Sequence, residues 1–72
     1  MTYYKNFSGN SGVFQYEIGE DFIIVRFKTS ARLYKYSYKK AGKENVEKMK
    51  ALAKSGSGLN SFISRNVRYL YD

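Results

Sequence analysis

The 72-residue chain contains no cysteine and no histidine. Without thiols, neither a disulfide nor a thiolate metal site can staple the fold. Without imidazole and thiolate, the commonest general base, the commonest metal ligand and a common nucleophile are all missing. Carboxylates are scarce too, six against thirteen Lys and Arg residues, and Glu17, Glu20 and Asp21 cluster around one predicted turn. These absences argue against an enzyme, and no cofactor or metal is expected. Ser37-Tyr38-Lys39-Lys40 has the serine-to-lysine spacing of some acyl enzymes, but a lone four-residue match on a strand carries no mechanism.

Long apolar runs are also absent. The longest, Phe22 to Val25, falls far short of the roughly 20 residues that span a bilayer. The opening "MTYYKNFSGNSG" has no apolar h-region, so neither a secretory signal nor a membrane partner is expected. The Asn6-Phe7-Ser8 glycosylation pattern therefore has no secretory context, and the cytoplasm is the expected compartment.

What remains is 43% hydrophobic and 18% aromatic, the aromatics being Tyr and Phe alone. That is too apolar for disorder. The length fits one domain of residues 1–72, near the size where folding buries only about 60% of the unfolded chain's surface. One small, aromatic-rich core is expected. Charge is segregated along the chain. Residues 1–21 sum to −2, residues 22–43 carry seven bases and no acid, and residues 44–72 sum to +2. Such a block is either a surface for a polyanion or one that only keeps the protein in solution.

Periodicity predicts the architecture. "FSGNSG", Phe7 to Gly12, consists of turn formers, and residues 1–11 read as a flexible lead-in. "VFQYEI", Val13 to Ile18, alternates, with Phe14, Tyr16 and Ile18 on one face and Val13, Gln15 and Glu17 on the other. Gly19 to Asp21 is a short hairpin connection. "FIIVRF", Phe22 to Phe27, reads as a central strand with Ile23, Val25 and Phe27 inward and Arg26 outward. "RLYKYSY", Arg32 to Tyr38, sets Tyr34, Tyr36 and Tyr38 against Leu33, Lys35 and Ser37. Lys43 to Ser55 then has helical period, with Val46, Met49, Leu52 and Ala53 on one face and lysines mostly on the other. Ser55 to Gly58 ends it with a glycine suited to a left-handed cap. Leu59, Phe62, Ile63 and Val67 mark a second helix. The expected class is α+β: a three-stranded antiparallel β-meander followed by two short helices packed on one sheet face.

The order of several short features supports a family resemblance. Val25 and Phe27 alternate in "IVRF", and Tyr-x-Tyr follows in "YKYSY". Ala53, Ser55-Gly56, Leu59-Asn60 and Ile63 come next, and the run closes on Tyr69 and Tyr71. This set resembles the KTSC domain, a module of the lysyl-tRNA synthetase C-terminus that also occurs as a free-standing bacterial or phage protein. The resemblance covers a core of residues 12–71. It departs at Ser64, where the family often has a base, and at Gly58, where it has an aromatic. The family's role is unknown; its synthetase context implies RNA binding.

If Tyr34 and Tyr36 face the helices, they are core residues whose hydroxyls reach the rim, while Tyr38 is exposed. The other sheet face then carries Arg26 and Lys35 among Gln15, Phe22, Ile24 and Leu33. Cations and exposed apolar groups on a sheet suit stacked bases and phosphates. They equally suit burial in a homodimer or against a protein partner. "SGSGLN" either caps the helix that follows, through Ser57 or Gly58, or offers its N–H groups to an anion with Arg65 or Arg68 assisting. It is not a Walker-type loop. The expected function is therefore a small non-enzymatic binding module. RNA or another polyanion would be held with low specificity by Arg26, Lys28, Arg32, Lys35, Lys39, Lys40, Arg65 and Arg68. The alternative is a protein-interaction or assembly module.

Overall fold

The computed structural model describes residues 1–7 and 12–72. Its sheet contains four strands in the order β1 (Thr2–Tyr3), β2 (Val13–Ile18), β3 (Phe22–Phe27) and β4 (Leu33–Ser37), each antiparallel to the next. The α+β class holds, with one strand more than the expected three. The extra strand comes from the segment read as a lead-in: Thr2 pairs with Tyr16 and Tyr3 with Gln15. Tyr4 follows directly into the core, 6% exposed, and its N–H donates to the Phe14 carbonyl at 2.9 Å. An aromatic that gains so much by burial ties its chain segment to the sheet despite the turn formers beyond it. Residues 8–11 of the expected lead-in lie outside the described residues.

Strand β2 also departs from simple alternation. Val13 is opposite Phe27 while Gln15 is opposite Arg26, so β2 carries one extra residue there. Such a bulge reverses the faces on one side of it. Val13 is consequently fully buried, and Phe14, expected inward, lies under Arg26 on the opposite face. Beyond the bulge the expected faces hold. Ile18, Ile23 and Tyr36 form one cross-strand row and Tyr16, Val25 and Tyr34 the next.

The third strand was expected to run through Tyr38 but stops at Ser37. The Ser37 side chain accepts from the Lys40 N–H at 3.2 Å and starts α1 (Tyr38–Ala41). A serine at an N-cap competes with the ladder for the local backbone. Helix α2 (Lys43–Ser55) has the expected bounds and buries Val46, Met49 and Ala53 against the sheet. It also buries Lys50, whose Nζ donates to the Glu20 carbonyl at 3.0 Å and pairs with Glu47 at 2.9 Å. In place of two helices there are, among the described residues, three and a π-helical segment, since α3 (Leu59–Phe62) passes into wider turns at Ile63–Val67. Leu59, Ile63 and Val67 close the core. Gly58 occupies the α3 N-cap without any side-chain bond, and the Leu59 N–H donates instead to the Tyr4 hydroxyl at 3.3 Å. The Arg-assisted anion site considered for this loop thus has one of its donors engaged inside the fold.

All helices of the layer lie on the Tyr36 side. Ile23, Val25 and Tyr36 are at most 1% exposed beneath Val46 and Met49, each such side chain contributing about 1.5–3 kcal/mol by its removal from water. Among the described residues, no helix is long and apolar enough to cross a membrane.

Gly56 joins the two halves. It ends α2 with φ +81°, and its carbonyl accepts from the Phe7 N–H at 2.8 Å. A Cβ there would come within 2.9 Å of Lys5 Cβ. Gly56→Ala should lower stability by about 1–2 kcal/mol for the left-handed backbone alone, measured by urea unfolding. An unchanged midpoint would show that the cap is not strained by a side chain.

Candidate nucleic-acid interface

The sheet face away from the helices is built in rows by strand register. Gln15, Arg26 and Leu33 are opposite one another, Glu17, Ile24 and Lys35 form the second row, and Phe22 stands beside Ser37. Arg26 is held in place: its Nη1 donates to Gln15 Oε1 at 3.3 Å and its guanidinium lies 5.4 Å from the centre of the Phe14 ring. Its buried Nε finds no acceptor among the described residues. Phe14 is braced edge-on by Tyr3 at 5.3 Å, and Lys35 Nζ sits 4.8 Å from the Phe22 ring centre. Tyr3 and Leu33 remain 66% and 52% exposed. Two aromatic–cation pairs therefore share a surface with exposed apolar groups. Glu17 is the acid among them.

The expected basic residues do not form one patch. Arg26 and Lys35 occupy this face. Lys28 is exposed in the β3–β4 turn, and Lys39 and Lys40 lie exposed on α1, which packs against α2. Arg65 is exposed on the π-helical segment. Arg32 turns instead over the rings of Tyr34 and Tyr71, at 5.1 and 5.2 Å. Those two rings also line a pocket of about 300 Å³, to which Arg68, 5.3 Å from the Tyr69 ring, contributes the guanidinium. Tyr3 and Phe14 were missed as members of the sheet surface. The "TYY" run beside the chain's start was a strand signal, whereas nothing in the alternation of β2 announces its bulge.

The tyrosines of β4 divide in role. Tyr36 is buried, 1% exposed; burial first, then the nearby Tyr34 and Tyr71 hydroxyls, push its pKa up to about 12. Tyr34 is half-buried and meets Tyr71 edge-on at 4.9 Å. Tyr38, expected exposed at a strand end, starts α1 and donates its hydroxyl to Glu47. That bond and the Lys50 ammonium hold the Glu47 carboxyl below its ordinary range, and Glu47 in turn raises Lys50. This cluster ties α1 to α2 and is accounted for by packing. Among the described residues, no group of three acids could hold a metal ion.

No family model matches the chain, and neither a curated protein nor a solved structure matches it.

Tyr36 makes the fold sensitive to alkali. In the unfolded chain it ionises near about pH 10, but in the folded protein only near about 12. Its contribution is therefore complete below the unfolded value and is lost as pH rises through that window. Urea midpoints measured across the window should fall for the natural protein and fall less steeply for Tyr36→Phe. Equal slopes would mean that the buried hydroxyl has no such linkage.

Proposed function

We propose that the chain is a small non-catalytic module that holds a single-stranded polyanion, RNA foremost, on the helix-free face of its sheet. The observation that carries this reading is the placement of Arg26 on Phe14 and Lys35 on Phe22, with Tyr3 exposed beside them. The exposed Tyr3 ring gives a base a stacking surface that tolerates any sequence, and the neighbouring cations over Phe14 and Phe22 can pair with phosphates. The net charge of +7 supplies long-range attraction. Low sequence specificity follows, because phosphate contacts position a strand without reading it. The resemblance to the KTSC domain, with its synthetase context, supports the same reading.

Exposed Leu33 on β4, with half-buried Ile24 two positions along the face on β3, favours a second reading, an assembly or protein-interaction surface, because exposed apolar groups gain by being covered. The two readings compete for the same surface. Light scattering separates them: a stable dimer lost on Leu33→Lys would support assembly.

The nucleic-acid reading is tested by fluorescence anisotropy with labelled single- and double-stranded RNA and DNA over a series of salt concentrations. Single-stranded RNA should bind with a steep salt dependence. Arg26→Gln with Lys35→Gln should reduce the log–log slope by about 1.4, at about 0.7 for each single-strand phosphate contact. Tyr3→Ala should weaken binding by about 1 kcal/mol with little change in slope. Absence of binding at low salt would overturn the proposal.

A further inference from the structure

The pocket beside Arg32 and Arg68 is a separate feature, on the helix side of the sheet, that the strand-binding reading neither uses nor needs. Its apolar floor comes from Phe27 and Ile63, and its ring walls from Tyr34, Tyr69 and Tyr71. Thr29, Ser30 and Ser64 bring hydroxyls, Asn60 an amide and Arg68 a guanidinium. None of the lining residues is an acid. The nearby Asp72 carboxylate is held elsewhere, accepting from the Ser37 hydroxyl at 2.8 Å while its N–H donates to the Lys35 carbonyl at 2.7 Å. Those two bonds anchor Tyr71 as a wall against Tyr34 and Tyr36.

The chemistry of the lining selects a ligand class. Arg68 without a carboxylate beside it repels a cation, and the hydroxyl-rich rim disfavours a purely aliphatic guest. A small inorganic anion would leave the aromatic walls without a partner. A planar ring carrying an anion satisfies both halves. Tyr34 and Tyr71 meet at 84°, so a ring laid flat against the side of either that Arg32 leaves open would stand perpendicular to the other, as favourable aromatic pairs do. Tyr69, 73% exposed, offers further stacking surface. Ser30 Oγ already accepts from the Arg32 N–H at 3.0 Å, which leaves its own proton to donate. Hydroxyl donors beside a guanidinium suit the several oxygens of a phosphate, which arginine binds through paired N–H groups. A volume of about 300 Å³ lies at the small end for ligand sites and fits one such ring system.

We propose that this pocket binds one nucleoside monophosphate unit, with the base among Tyr34, Tyr69 and Tyr71 and the phosphate at Arg68. The unit is either a free nucleotide or the phosphorylated end of a strand. The inference goes beyond the strand-binding reading and stands or falls without it.

The test is an amide-resolved NMR titration of the whole chain with adenosine 5′-monophosphate, adenosine, inorganic phosphate, and short oligoadenylates with and without a terminal phosphate. Thr29, Ser30, Ser64, Arg68 and Tyr69 should respond to the monophosphate, and Tyr3, Phe14 and Lys35 should not. Removing one charge-assisted phosphate contact in Arg68→Gln should weaken the monophosphate about tenfold or more while leaving adenosine unchanged. Tyr69→Ala should weaken both. These residues are exposed, so the fold should tolerate both changes, and the spectrum of each variant verifies it. A preference for the oligonucleotide bearing a terminal phosphate over the free nucleotide would identify a strand end as the source; the reverse preference would identify the free nucleotide. No pocket response, a response to inorganic phosphate equal to that of the nucleotide, or an undiminished response in folded Arg68→Gln would each overturn the proposal. Strand binding through Arg26 and Lys35 could fail with the pocket result intact, so the two proposals are separable.

Discussion

The packing of Val46 and Met49 from α2 onto Ile23, Val25 and Tyr36 is the contact on which the rest of the molecule depends. A chain this short has enough apolar side chains to cover one side of a sheet and not two. Once α2 and the segment from Leu59 to Val67 lie on the Tyr36 side, the side bearing Arg26 and Lys35 has to meet water or a partner. Its composition reflects that position. Phe14 and Phe22 each lie beneath a cation, which limits their contact with solvent without removing the charge from the surface.

Buried tyrosine is a demanding way to fill so small a core, because every hydroxyl needs a place. Tyr4 meets the need by accepting from the first N–H of α3, which joins the start of the chain to the second helical region. Tyr38 donates to Glu47 and sets α1 against α2. Tyr34 and Tyr71 instead line a pocket. The same ring chemistry thus produces core, inter-element clamp and pocket wall, and only position distinguishes the three.

Charge follows a similar logic. The acid-free block from Phe22 to Lys43 is contiguous in sequence, but a hairpin and a short helix distribute it over several directions. Alternation on β4 sends Lys35 to the open face, while Arg32, just before the strand, folds over Tyr34 and Tyr71. The consequence is two unlike environments: a broad surface with cations over aromatics, and a smaller concavity where the Arg68 guanidinium shares a lining with hydroxyls.

Local pattern determined the α+β class, the Phe22–Phe27 strand, the bounds of α2 and the inward facing of Tyr36, because periodicity of two or of 3.6 is written in neighbouring residues. The "TYY" run only hinted at β1, whose two residues become a strand by pairing with β2. Local pattern could not reveal the bulge that turns Phe14 outward and Val13 inward, since an extra residue is defined by the partner strand and not by its own. The Arg32, Arg68 and Tyr71 constellation belongs to the same class of facts. Its members lie up to 39 positions apart, and only the return of the chain after Val67 along β4 brings them together. Contacts of long sequence separation depend on how the whole core closes, and that closure is a tertiary event.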